Sequence, residues 1–317
     1  RYDGSQTGVA FRAPRPRLGE NWSAALFAQE RLYRVYENLS KGNVRIPGMR
    51  GTGSIPLCAL GELGTLGPDR RDIHDGFNMK DVHPSDVWTP YAAFLGNDAK
   101  TVLTLSQMPN AYLTPLAKPA AGRSLRNADM LQERAGDIAV VERAWPVTQR
   151  LLAILLSEPV LSNVWWPLKT ELSLKQRQTL VLWLNSSLSL LLFYGRKEVT
   201  RGPWVQMKKP AWLSMPVLDV RCLSSDQEDV LARLFTQVST DTFKPLAQIN
   251  TDDLRCRIDN TFEEVLGLPN LNPVRQLLTL EPGLTGKSIF DAGRIPHEEE
   301  LCLDGESFAE AAEPSLD

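Results

Sequence analysis

The order of apolar and polar positions divides the chain into a first part of short apolar runs and a second part of helical patterns. Asn21-Trp22-Ser23 can cap a helix, and apolar residues recur at roughly helical spacing from there to Leu39. Between about 44 and 170, Gly, Pro, Asp and Asn separate short apolar runs, which predicts a β-rich or mixed region. The predicted strands are 102–105, 137–145 and 150–157, the last two joined as a hairpin through 146–149.

From residue 172 onward the pattern becomes helical. The run 172–194 predicts one long buried helix ending at Gly195, because glycine commonly follows a helix C-terminus. Asn185 and Ser189 lie four positions apart on this helix, so we interpret them as a narrow polar stripe in which Asn185 binds a nearby backbone group. Further helices are predicted after Ser225-x-x-Glu228, after Asn250 or Thr251, and after Asn272-Pro273.

These patterns predict an α+β fold in four parts. Residues 1–43 form a linker and a first helix, 44–221 a β-rich mixed domain, 222–292 a C-terminal helical region, and 293–317 an acidic tail that we expect to be disordered. The chain begins at Arg1 rather than Met, which we interpret as a fragment or a processed product.

The composition excludes several classes of protein. No apolar run reaches the roughly 18 residues that span a bilayer, so we expect no membrane partner. The cysteines are widely scattered, and we interpret them as free thiols in a reducing cytoplasm. With only three histidines in the chain, we expect no histidine-rich metal site.

The net charge of −3 conceals an asymmetry between the tail and the rest of the chain. Eight of the 38 acidic residues lie in 297–317, which contains no Lys or Arg, so the remaining chain is mildly basic. The tail is either a solvated end or a segment that competes with nucleic acid for a basic surface.

A basic, aromatic segment follows the predicted long helix. Between 194 and 221 there are six basic residues against two acidic ones, with Trp204 and Trp212 among them. Lys and Arg neutralise phosphates, and aromatic or guanidinium planes stack on bases, so this segment is either a DNA contact or a solvated loop with half-buried tryptophans. With a second basic pair in a turn-rich loop, the candidate DNA-binding residues are Arg70, Arg71, Arg196, Lys197, Arg201, Trp204, Lys208 and Lys209.

Catalytic motifs are largely missing. The segment GLTGKS, 283–288, has Glu281 where a phosphate-binding loop requires its first glycine, and HExxH and GxSxG are absent. One alternative remains: Asp69, Asp98 and Lys100 match the loose arrangement of a Mg²⁺-dependent PD-(D/E)xK-like nuclease, in which two carboxylates hold the metal.

An ordered set of motifs adds a resemblance. Ile55-Pro56-Leu57 and Leu60-Gly61-Glu62-Leu63-Gly64 follow the first helix, then come Leu184-Asn185-Ser186, Met215-Pro216-Val217, and Arg257-Ile258-Asp259 with Leu266-Gly267-Leu268. In this order they resemble the target-recognition (specificity) domain of restriction–modification adenine-specific DNA methyltransferases, in type I specificity subunits and type IIG-like enzymes. The motifs cover roughly 20–270, with 44–221 as the recognition-like domain. Residues 80–135 match nothing in the family, as expected of the part that sets sequence specificity.

The resemblance implies a division of labour. The catalytic domain binds S-adenosylmethionine and flips an adenine, while the recognition domain holds double-stranded DNA and reads base edges. This chain lacks every catalytic motif, so we expect no cofactor in it and a catalytic domain either fused upstream or on a methyltransferase subunit, with a restriction or defence subunit as a further partner. The alternative to DNA recognition, besides the nuclease, is an interaction module that docks a methyltransferase subunit through its helical region.

Overall fold

The computed structural model describes residues 23–83, 89–119, 121–199 and 204–286. It confirms the predicted α+β fold, since several small sheets alternate with helices along the chain. The predicted disordered tail, 293–317, lies outside the described residues, and the predicted domain boundaries stay a prediction.

Most of the longer α-helices lie after residue 172, where the sequence pattern predicted a helical region. The α-helices are α1 (Glu30–Leu39), α2 (Leu60–Leu63), α3 (Arg70–Gly76), α4 (Ala128–Gln132), α5 (Leu174–Leu184), α6 (Ser187–Arg196), α7 (Lys209–Leu213), α8 (Ser225–Val238), α9 (Asp253–Leu266), α10 (Asn272–Thr279) and α11 (Pro282–Thr285). Short 3₁₀ helices occupy Ser23–Leu26, Val220–Cys222 and Leu246–Thr251.

The strands are short and lie mostly before α5. They are β1 (Asn43–Val44), β2 (Gly53–Ser54), β3 (Leu57–Ala59), β4 (Thr65–Leu66), β5 (Phe77–His83), β6 (Ala92–Ala93), β7 (Ser106–Gln107), β8 (Ala111–Pro115), β9 (Gly136–Val141), β10 (Arg143–Ala144), β11 (Ala153–Val160), β12 (Trp165–Lys169), β13 (Glu198–Val199), β14 (Val205–Gln206) and β15 (Pro216–Leu218).

A five-stranded sheet in the order β4-β12-β9-β11-β7 forms the centre of the fold. Its central strand β9 is buried along almost its whole length, which explains its continuous apolar sequence. The predicted hairpin is confirmed, because β9 and β11 are antiparallel neighbours. The predicted strand at 102–105 is wrong: Leu103 O accepts a hydrogen bond from Phe243 N (3.0 Å) rather than from a strand, and β7 begins only at Ser106.

The predicted single helix over 172–194 is also wrong, because the chain forms α5 and α6 with a break at Asn185 and Ser186. The side-chain amide of Asn185 accepts a hydrogen bond from Leu152 N (2.8 Å) and donates to Ala153 O (2.8 Å). The expected bond between Asn185 and a nearby backbone group is therefore confirmed, and it ties the break to β11. Gly195 lies inside α6 and does not end it.

The helices after β15 begin within one or two residues of their predicted starts. Ser224 rather than Ser225 caps α8, with Gln227 completing the capping box, and Asp252 caps α9. Gly267 ends α9 with φ of 63°, a left-handed conformation that favours glycine, and Pro273 lies in the first turn of α10 as predicted.

Polar residues of α6, α9 and α10 meet in the protein interior. Ser187 N donates to Asp259 Oδ1 (3.0 Å), the hydroxyl of Ser187 donates to the other carboxylate oxygen, and Arg275 Nη1 donates to that same oxygen (2.8 Å). The buried Asp259 carboxylate thus joins α6, α9 and α10. Their apolar side chains share one hydrophobic core with the five-stranded sheet.

The chain between β4 and β9 forms most of a smaller lobe. It contains the antiparallel sheet β5-β8-β6, the helices α3 and α4, and a core of its own that includes Ile73, Phe77, Leu113 and Leu131. In the described part of the chain, no helix is long and apolar enough to cross a membrane. Cys58, Cys222 and Cys256 are free thiols, as expected.

Candidate nucleic-acid interface

Two of the predicted basic clusters are brought together by the fold. The ammonium of Lys209, in the first turn of α7, donates to Gly67 O (2.7 Å), 142 positions away, and lies 3.4 Å from a carboxylate oxygen of Asp69. Asp69 directly precedes α3, whose first two residues, Arg70 and Arg71, are exposed. We call Arg70, Arg71, Lys208 and Lys209 the basic face.

Packing against the central sheet holds Lys209 in this position. Its ammonium lies 5.1 Å from the ring centroid of Trp166, whose indole nitrogen donates to Met207 O (3.3 Å). A tryptophan face attracts a cation, and the indole–carbonyl bond fixes the segment just before α7. The basic face is therefore mounted on the rigid sheet and not on a long flexible loop.

A pair of half-exposed tryptophans lies on a neighbouring small sheet, β10-β14-β13. Trp204 precedes β14 and is 40% exposed, and its ring centroid is 6.2 Å from that of Trp145, which is 38% exposed. The ammonium of Lys208 lies 2.7 Å from the carboxylate of Glu198 on β13, an edge strand of the same small sheet. The sequence analysis missed Trp145; its available signal was an aromatic residue directly after an apolar strand and before Pro146.

Two predicted DNA-contact residues are engaged in packing. Lys197 is only 3% exposed, and its ammonium donates to Tyr194 O (3.1 Å) and lies 3.1 Å from the centroid of the Tyr194 ring. Burial lowers the pKa of Lys197 to about 7, against a smaller opposite effect of Glu281. A side chain in this position does not reach a phosphate, so the prediction for Lys197 is corrected.

Arg196 is half-buried, and its Nη1 donates to Ser214 O (3.1 Å), which links α6 to the end of α7. It also interacts with the Tyr36 hydroxyl on α1. These contacts give Arg196 a packing role that the sequence did not indicate. Arg201 lies outside the described residues.

The nuclease alternative stays a prediction, and its residues make contacts of other kinds. Trp165 and Trp166 are neighbours on β12 and point to opposite faces of the sheet. The loop that carries Asp98 and Lys100 contacts Trp165, whose indole donates to Gly96 O (3.0 Å), whereas Lys209, the partner of Asp69, lies over Trp166.

A shared Mg²⁺ needs ligand oxygens from both carboxylates within about 2.1 Å of the ion. Asp98 instead accepts a hydrogen bond from Lys100 N (2.9 Å) and closes a turn. Within the described residues, no group of three or more His, Cys, Asp or Glu side chains is placed to hold a metal ion.

Comparisons with known proteins give one structural likeness. No protein-family model matches the chain, and no curated protein matches it. A solved structure of the type IIG restriction endonuclease BpuSI is similar over 86% of this chain and 33% of that enzyme, with 10% sequence identity and a TM-score of 0.44. The chain spans about a third of that enzyme's length. At this level of similarity, we draw no conclusion about function from it.

The charges and rings of this surface suit a polyanion with planar groups. Arg70 and Arg71 carry guanidiniums that contact phosphate through two N–H groups, while the exposed faces of Trp145 and Trp204 suit stacking or sugar contacts. Asp69 and Glu198 lie beside the lysines and moderate the positive potential. The arrangement can bind a phosphate backbone.

Proposed function

We propose that this region binds double-stranded DNA as the non-catalytic target-recognition part of an adenine-specific DNA methyltransferase in a restriction–modification or phage-defence system. The observation that carries the proposal is the Lys209–Asp69 contact, which joins basic residues from two distant segments into one exposed face. The ordered sequence motifs supply the methyltransferase context. The S-adenosylmethionine site belongs, in this proposal, to the associated catalytic domain.

The physical roles follow from the placement of the residues. Base flipping costs a few kcal/mol, so the duplex must be held by contacts that the flipped base does not provide. Arg70, Arg71 and Lys208 supply phosphate contacts that fix the register of the duplex. The packed motif residues Asn185 and Asp259 maintain the scaffold and do not touch DNA.

A salt series tests the proposal. The 317-residue chain is titrated against a fluorescent duplex of about 30 base pairs between 50 and 200 mM salt, and log Kd is plotted against log salt. Wild type is expected to bind with a steep slope, and Arg70→Ala/Arg71→Ala/Lys208→Ala to reduce that slope by about 2–3, since each lost phosphate contact contributes about 0.9.

The matched control is Lys41→Ala/Arg45→Ala, which removes two exposed charges after α1 and outside the basic face. It is expected to retain most of the wild-type slope. Absence of salt-dependent binding by wild type, or equal losses in both variants, contradicts the proposal. A stable complex with a methyltransferase subunit in the absence of any DNA binding would instead favour the docking alternative.

A further inference from the structure

Three arginines from the segment after β8 surround α3, next to the basic face. Arg126 Nε lies 3.1 Å from Asp72 Oδ1, Arg134 Nη1 lies 3.9 Å from Asp72 Oδ2, and Arg123 Nη1 lies 2.8 Å from Asp75 Oδ1. Their side chains are 40–56% exposed. All three belong to the part of the chain that has no counterpart in the recognised motifs.

The backbone that carries Arg126 is fixed against α3. Arg126 N donates to Asp75 O (3.0 Å), and a Cβ at Gly76 would lie only 2.6 Å from the Leu131 side chain, so the two segments are in close contact. Asn127, which follows Arg126, caps α4 by accepting a hydrogen bond from Met130 N (3.1 Å). Leu131 of α4 belongs to the same small core as Ile73 of α3. The loop residue Arg126 is therefore held against α3 and the start of α4.

The charges around α3 lie close to one another. Burial, together with the positive charges of Arg70 and Arg123, lowers the pKa of His74, which lies between them on α3. Arg134 Nη2 donates to Gly67 O (3.4 Å), the same carbonyl that accepts a hydrogen bond from the Lys209 ammonium, so the arginine cluster adjoins the basic face.

Stability does not account for these ion pairs. The arginine of each pair is 40–56% exposed, so solvent screens the attraction and keeps its contribution to stability small. Their effect on geometry is larger. In the Arg126–Asp72 pair the carboxylate faces Nε, which restricts the rotation of the guanidinium and leaves the edge formed by its two Nη nitrogens available. Among the described residues, none accepts a hydrogen bond from the two Nη nitrogens of Arg126.

We propose that Arg123 and Arg126 read guanine in the major groove of the DNA held by the basic face, and that Asp72 and Asp75 are positioning residues that orient these guanidiniums. This inference rests on the proposed function. Guanine presents two acceptors, O6 and N7, on its major-groove edge, and a guanidinium with a fixed plane binds both. Because a Lys ammonium cannot form this paired contact, an Arg-to-Lys substitution separates charge from base reading.

The experiment selects bound duplexes from a pool with about 12 random base pairs, using the whole chain, and sequences them. Wild type is expected to enrich guanine at one or more positions. In Arg126→Lys and in Arg123→Lys, the preference for guanine over the other bases at one position is expected to fall about 5- to 150-fold. The salt slope of binding is expected to stay unchanged in both variants. Asp72→Asn is expected to weaken the preference at the Arg126 position, and Arg126→Lys combined with Asp72→Asn to add no further loss.

The matched control is Arg34→Lys, an exposed arginine on α1 that is likewise paired with carboxylates, those of Glu30 and Glu37. It is expected to keep the wild-type guanine preference. If the Arg123 and Arg126 variants also keep it, or if wild type binds without base preference, this inference is overturned and the proposed function stands. If wild type shows no salt-dependent DNA binding, both are overturned.

Discussion

The ammonium of Lys209 and the carboxylate of Asp69 lie 3.4 Å apart, although a whole lobe and most of the central sheet separate them in sequence. This contact fixes α7 beside the start of α3. It also places the carboxylate of Asp69, whose side chain is 60% exposed, on the face that carries Arg70 and Arg71. A carboxylate in that position opposes the approach of phosphate.

Removing this carboxylate is expected to strengthen DNA binding. In Asp69→Asn, the loss of one negative charge near the phosphates should lower Kd about 2- to 5-fold at 50 mM salt, and the gain should shrink as salt screens it. The free energy of unfolding should change by less than about 1 kcal/mol, because the pair is exposed. Glu30→Gln, on the exposed side of α1, is the control, and an equal gain there would contradict a local effect.

Asn185 is expected to be the most costly polar residue to truncate in the α5–α6 break. Its side-chain amide accepts a hydrogen bond from Leu152 N and donates to Ala153 O and Val181 O, each at 2.8 Å, and all these groups are buried. Asn185→Ala should lower the free energy of unfolding by about 2–4 kcal/mol in urea denaturation, because buried backbone groups lose their partners.

Asn38 provides the matched control for that measurement. Its side-chain amide donates to Arg34 O (2.9 Å) on the exposed surface of α1, where water can replace it. Asn38→Ala should cost less than about 0.5 kcal/mol. Similar losses in the two variants would show that the bonds of Asn185 to β11 add nothing specific.

Gly195 is predicted to be intolerant of a methyl group. In a helix interior, Ala is normally better than Gly by up to about 1 kcal/mol, but here an added Cβ would lie 2.2 Å from Cε2 of Tyr36. Gly195→Ala should therefore destabilise the protein by about 1–3 kcal/mol through overpacking. In a Tyr36→Ala background, the same substitution should cost much less, and an unchanged cost in that double-mutant cycle would refute the steric explanation.

The sequence predicted the elements better than their breaks. Apolar periodicity located the helical region, the β9–β11 hairpin and the first turn of α10. It did not predict the break at Asn185, because the decisive interaction is a set of hydrogen bonds to β11, more than 30 positions away. The Asn-Ser-Ser tripeptide did hold a local signal, since Ser186 caps α6 by accepting a hydrogen bond from Ser189 N (3.2 Å).

The candidate site was predicted in pieces but not as a surface. Arg70-Arg71 and Lys208-Lys209 were each visible as basic pairs, while their proximity depends on sheet pairing between β4 and β12. Arg123 and Arg126 were not visible, because each stands alone in its segment and gains its position only from α3. For Lys197 the sequence predicted a DNA contact where the structure has a buried side chain. The residue is buried because α6 ends against Ser23 and Glu281, and no local pattern reveals that packing.

The buried Lys197 is expected to make stability depend on pH. Its pKa is about 7 in the folded chain and near 10.5 when unfolded, so between these values the unfolded chain binds more protons at this residue. The free energy of unfolding should therefore rise with pH across this window, by about 2 kcal/mol between pH 7 and 9. Urea denaturation at the two pH values measures this rise.

Lys197→Met isolates the contribution of that ammonium. The variant should lose the rise, because Met has no proton to bind. Lys208→Met removes an exposed lysine and should keep the wild-type rise. A rise of equal size in Lys197→Met, or a wild-type stability that falls from pH 7 to 9, would show that the ammonium of Lys197 keeps its proton inside the folded chain.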